Sequence, residues 1–141
     1  MFAALSNPAK AYAKVGMETG VESASPHKLI LMLFDGALLA ISTATKYMAE
    51  KKIEEKGNAI SKAIDIIING LKLSLDKSAD AELGDRLDAL YDYMAVRLVH
   101  ANVHNDRQAL AEVLGLLGEL KGAWEEIAND PAVLSHNRAA A

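Results

Sequence analysis

The chain contains no cysteine, which removes disulfide scaffolds, thiol nucleophiles and cysteine-ligated zinc together. It has only three prolines, Pro8, Pro26 and Pro131, and none in the long stretch between the last two. Proline removes a backbone donor and clashes with the preceding turn, so a proline-free stretch rich in Ala, Leu, Lys and Glu is helical territory. There is no excess of positive charge: 15 basic and 19 acidic side chains leave a net charge of -4. That balance gives no support for nucleic-acid binding. Long apolar runs are also missing. The most apolar stretch, Leu29 to Phe34, is stopped by Asp35, whereas a spanning helix needs about twenty residues. The N-terminus lacks the basic start and apolar segment of a signal peptide. These absences predict a protein of the cytoplasm with no direct membrane insertion.

What is present is enough for one domain with one core: 141 residues, 51% of them hydrophobic. Ser25 caps and Pro26 starts the first long helix. Ile30, Leu33, Phe34, Ala37, Ile41 and Ala44 recur along it at steps of three and four. Leu29, Met32, Leu38 and Leu39 fall off that stripe. A second helix is expected from near Ile53 to near Asp76, with Ile60, Ile64, Ile67 and Leu71 as its main stripe. The link before it, Glu50-Lys51-Lys52, has no turn-forming residue. Residues 77–80 read as a loop, and Leu83, Leu87, Leu90, Tyr91, Met94 and Leu98 mark a third helix. Asn105 is the expected cap of a fourth, with Gln108 three places on. That helix carries Leu110 through Trp124 and ends near Asn129.

Four long helices with short links predict an all-α, antiparallel up-down four-helix bundle over residues 25–130. Residues 1–24 form a separate segment with a short helical piece, and residues 131–141 a C-terminal tail.

Chemistry is scarce. No glutamate has a histidine three places later, so the Glu-x-x-His pairs of di-iron bundles are missing. His100 and His104 share a helix face, as two zinc ligands do, or else are solvent-facing histidines suited to a helix end. No phosphate loop, dinucleotide fingerprint or nucleophile elbow occurs. The expectation is a non-enzyme without metal or cofactor. Apolar helix surface, by contrast, is in surplus on helices one and two. A large core or a homodimer interface would absorb it, as would a groove that takes a partner's amphipathic segment. Gly115, Gly118 and Gly122 lie on one face of helix four and permit close approach of another backbone.

Several segments carry a resemblance. Ala11-Tyr12-Ala13-Lys14-Val15, Ser23-Ala24-Ser25-Pro26-His27-Lys28-Leu29-Ile30 and Met32-Leu33-Phe34-Asp35-Gly36-Ala37 come first. Ser61 to Ile67, Leu90-Tyr91-Asp92-Tyr93-Met94 and Arg97 to Asp106 follow in the same order. Together they resemble a flagellar secretion chaperone of the FliS type. The resemblance implies a cytoplasmic bundle that binds the disordered C-terminal segment of flagellin in apolar grooves. It would thereby prevent premature polymerisation and deliver flagellin to the export gate protein FlhA. It also implies an N-terminal segment that covers part of the binding surface through Tyr12. Three places earlier the family often has a larger aliphatic residue than this chain's Ala9. The partner-binding residues expected are Ala9, Tyr12, Val15, Leu29, Ile30, Leu33, Ile60, Ile64, Ile67 and Leu71. A dimerisation or signalling adaptor module is the competing expectation.

Overall fold

A computed structural model describes residues 25–128. The expected N-terminal segment and C-terminal tail lie outside the described residues. Helix α1 spans Pro26–Ala49. The Ser25 hydroxyl accepts the Lys28 N–H at 3.2 Å, and Pro26 occupies the first turn. One face buries Leu33, Phe34, Ala37, Ile41 and Ala44. By length and composition α1 would be able to cross a membrane. Asp35 breaks its longest apolar run without making the whole helix polar, so counting run length alone misses this. In the fold α1 packs against both its neighbours, α2 and α4.

The unmarked link is closed by Lys51, which takes the left-handed conformation at φ 59. The Lys52 N–H then bonds back to the Tyr47 carbonyl at 3.0 Å, the Schellman arrangement in which the left-handed position is usually glycine. Helix α2 follows over Ile53–Asp65.

The second helix does not continue in α geometry to Asp76 as expected. From Ile66 to Lys72 it widens into a π-helix, after which the chain leaves helical structure. The wider turn buries the adjacent pairs Ile66–Ile67 and Gly70–Leu71 together.

Helix α3 covers Ala81–His104, capped by the Asp80 carboxylate, which accepts the Leu83 N–H at 3.0 Å. Helix α4 covers Arg107–Ala128. Its cap is Asp106 and not Asn105. Asp106 Oδ1 accepts from the amides of Gln108 at 3.0 Å and Ala109 at 3.2 Å, while Asn105 ends α3 in the left-handed conformation at φ 51. Asparagine tolerates that conformation, which places it one residue before the cap.

Each helix packs on the next, and α4 closes back on α1. The described residues therefore form an all-α four-helix bundle without strands. All four helices feed one core, with Leu33, Ile41, Ile60, Ile67, Met94, Leu98, Leu110, Val113 and Leu117 fully buried.

The two ends of the bundle differ. At the end formed by the start of α2 and the α3–α4 turn, Lys56 is buried. Its ammonium donates to the Asn102 carbonyl at 2.9 Å and to Asn105 Oδ1. At the other end, Lys72 pairs with Asp92 at 2.7 Å and Lys77 with Asp88 at 2.9 Å, tying the π segment and its loop to α3. The Lys77 stem lies over Gly84, where an added Cβ would come within 2.6 Å of Lys77 Cγ.

Candidate functional site

A cavity of about 390 Å3 opens where α1 begins, the π segment ends, α3 begins and α4 ends. Ile30 and Phe34 of α1 face it, with Leu71 and Leu75, then Leu83, Leu87 and Tyr91 of α3, and Leu120, Trp124 and Ile127 of α4. These residues close the ends of the apolar stripes. A core residue mid-helix has neighbours above and below, whereas a stripe that continues to the helix end leaves its last apolar residues uncovered. Leu83 is accordingly 53% exposed and Ile127 43%.

The polar part of the lining is small. Asp76 and Asp80 lie on the rim. Hydrogen bonds from the Ser78 hydroxyl and amide hold the Asp76 carboxyl below the usual range. Burial pushes the Tyr91 phenol up to about 12, so it stays neutral at physiological pH. Trp124 stacks on His27, whose imidazole is buried with Nε2 lacking a hydrogen-bond partner among the described residues. That burial lowers the His27 pKa, only partly opposed by its link to Trp124.

A second cleft of about 400 Å3 runs between α1 and α2, lined by Gly36, Leu39, Ala40, Thr43 and Tyr47 and by Glu55, Asn58, Ala59 and Lys62. Leu39, which the periodicity places off the core stripe, is 68% exposed there. On α3, Val96, Val99 and Val103 form an outward stripe, each more than half exposed. Gly115, Gly118 and Gly122 face open space.

The residues expected to bind a partner divide three ways. Ala9, Tyr12 and Val15 lie outside the described residues. Leu33, Ile60 and Ile67 are sealed in the core at 2% exposure or less, so their regular spacing reports the face the bundle consumes. Ile30 and Leu71 line the end cavity, while Leu29 and Ile64 are half-buried. The walls supplied by α3 and α4 were not among the expected residues, although Leu83, Leu87 and Trp124 read plainly as stripe positions. Their place at the ends of those stripes was the available signal.

No group of three His, Asp or Glu able to hold a metal occurs among the described residues. His100 and His104 sit with ring centroids 4.5 Å apart, and His100 Nε2 lies 3.2 Å from Asp106 Oδ2. Asp92 is a solvent-facing carboxylate paired with Lys72. The site offers mainly apolar area and shape.

Comparison with known proteins agrees with this picture. The family described as flagellar protein FliS matches residues 8–131. The flagellar secretion chaperone FliS of Salmonella typhimurium is 51% identical over 118 residues, 84% of this chain and 87% of the relative. That of Escherichia coli is 44% identical over 89% of this chain and 92% of its own. The Bacillus subtilis chaperone is 36% identical over 87% of each.

Proposed function

The chain belongs to the FliS family of flagellar secretion chaperones, and on that premise we propose that it binds the C-terminal segment of flagellin in its apolar clefts. It holds that segment in the cytoplasm, keeps it from polymerising early and hands it to the export gate protein FlhA. A chaperone family is not an enzyme class, and the proposed cycle is binding and release.

The observation that carries this reading is the open cavity of about 390 Å3, lined mostly by apolar side chains, with Ser74, Asp76 and Asp80 as its polar members. A disordered client loses conformational entropy on binding and needs a large apolar area to offset it. At ~25 cal/mol per Å2, 1,000 Å2 of apolar burial contributes on the order of 25 kcal/mol gross, most of it offset by ordering and association. The α1–α2 cleft with exposed Leu39 extends that area along the bundle. Residues 1–24 act as the cap in this scheme, with Tyr12 and Val15 covering apolar surface until the client arrives.

Titration calorimetry with the C-terminal forty or so residues of the host's flagellin tests the proposal. Tight one-to-one binding with a strongly negative heat-capacity change is the expected result. Absence of binding at tens of micromolar, with self-association of the free chain, would favour the adaptor reading instead.

A further inference from the structure

The end cavity is lined mostly by aliphatic and aromatic carbon, which attracts apolar side chains without choosing among them. Two hydroxyls interrupt that lining. Tyr91 of α3 is only 4% exposed, and its phenol has no hydrogen-bond partner among the described residues. Ser74, from the chain just after the π segment, lines the same cavity, and its buried Oγ is likewise unpartnered there. We propose that the Tyr91 and Ser74 hydroxyls are the specificity-determining contacts of this cavity, which takes an aliphatic side chain flanked by an uncharged hydrogen-bond acceptor. A backbone carbonyl or the amide of Asn or Gln is such an acceptor. The proposal rests on the client-binding reading above and names the chemistry of the part of the client that enters.

A buried hydroxyl left unpaired costs free energy that a bonded one does not, so buried tyrosines ordinarily find a partner. Tyr93, farther along α3, donates to Glu112, and Ser78 in the following loop donates to Asp76. No described residue does the same for Tyr91 or Ser74. An occupant that brings an acceptor therefore gains the bond and relieves that cost, whereas a purely aliphatic one does neither. A site that bonds a polar group also discriminates more sharply than one made of carbon alone.

Charge narrows the choice. Burial raises the Tyr91 pKa to about 12, so the neutral phenol presents a proton. Asp76 and Asp80 stand on the rim, and the bonds from Ser78 favour the ionised form of Asp76. An anionic acceptor would meet like charge on its way in. An ammonium has no lone pair to take the phenol's proton. The matching group is an uncharged acceptor.

Two measurements on the full chain test this. Tyr91→Phe and Ser74→Ala each remove one hydroxyl and little else. Urea unfolding is expected to show stability unchanged or raised in both, because an unpaired polar group has gone. Affinity for the flagellin C-terminal segment, measured by calorimetry, is expected to fall roughly threefold to tenfold in each, the worth of about one hydrogen bond. Unchanged affinity in either variant, or a loss of stability as large as the loss of affinity, would overturn the proposal.

The second measurement contains no flagellin. N-isobutylacetamide joins an aliphatic branch to an uncharged amide, and isovalerate joins the same branch to a carboxylate. Each is titrated into the protein while the backbone amide of Leu87 and the indole N–H of Trp124 are followed by NMR. The amide is expected to bind roughly fivefold more tightly than isovalerate, and Tyr91→Phe to weaken the amide by roughly threefold or more. No binding of the amide, equal binding of the two probes, or amide binding untouched by Tyr91→Phe would each count against the assignment. If the probes discriminate as expected while the flagellin segment does not bind, the client reading falls and the role of the two hydroxyls stands.

Discussion

Trp124 lies flat on His27, with ring centroids 4.5 Å apart and 7° between the planes, and its indole N–H donates to the His27 carbonyl at 3.0 Å. The contact joins the first turn of α1 to the last turns of α4, residues 97 apart in sequence. It closes the bundle beside the cavity mouth with one stack and one hydrogen bond.

Two substitutions separate those parts. Trp124→Phe keeps a ring on the imidazole and loses the donor, so it is expected to cost about 1 kcal/mol, the net worth of one hydrogen bond. Trp124→Ala loses both and is expected to cost about 2–3 kcal/mol, below the range for a fully buried aromatic because Trp124 is half-buried. Urea unfolding followed by circular dichroism measures both, and equal losses would show that the stack contributes nothing.

His27 sets a pH dependence. Burial lowers its folded pKa below the unfolded value of 6.5, so the unfolded chain takes up a proton that the folded chain resists. Stability from this residue is complete above about pH 6.5 and is lost as pH falls toward the folded value. The carboxylates of Asp106 and Glu112, whose pKa values are lowered, act in a separate and more acidic window. His27→Gln is expected to flatten the stability curve between about pH 7 and 5. Parallel curves for the two proteins would assign the titration elsewhere.

Client binding is expected to fail first at Leu83. Leu83→Asp puts a charge on the cavity wall at a position 53% exposed, and an acid in the first turn of a helix suits its dipole. The fold should therefore survive while affinity for the flagellin segment drops by roughly tenfold or more, at least 1.4 kcal/mol. Calorimetry beside a thermal melt distinguishes the two effects. Unchanged affinity would remove this cavity from the client's path.

Lys51 holds a strained backbone. A left-handed residue other than glycine costs roughly 1–2 kcal/mol, of which glycine returns part through the greater freedom of its unfolded chain. Lys51→Gly is expected to raise stability by about 0.5–1 kcal/mol. A decrease would mean that the Lys51 side chain contributes more than its backbone costs.

Most of the fold was legible because helix signals are local. Ser25-Pro26, Asp80 and the 3-4 spacing of α3 and α4 each state a boundary or a face within a few residues. The Lys51 turn was not legible, since its Schellman hydrogen bonds are made without the residue that usually announces them. The π segment was hidden for a related reason. Ile66-Ile67-Ile68 is apolar on all sides, and periodicity cannot tell which two of three adjacent isoleucines turn inward. The site was half legible. Stripe spacing identified Ile30 and Leu71 but equally selected Leu33, Ile60 and Ile67, because spacing reports a buried face and not where along the bundle that face runs out. Nothing in the sequence around Lys56 marks it as buried, because only the fold brings Asn102 and Asn105 to it.

The contrast between the two ends of the bundle implies a gradient in how readily it loosens. Around Lys56 the backbone is pinned by an ammonium bonded to both the end of α3 and its turn; around Leu83 and Trp124 it is lined by half-covered side chains. Amide deuterium exchange should therefore be slowest at Leu98, Ala101 and Leu110, and faster toward Leu87 and Leu120. The bundle would open as a clasp hinged at one end, so a segment could enter or leave the mouth while the far half stays folded.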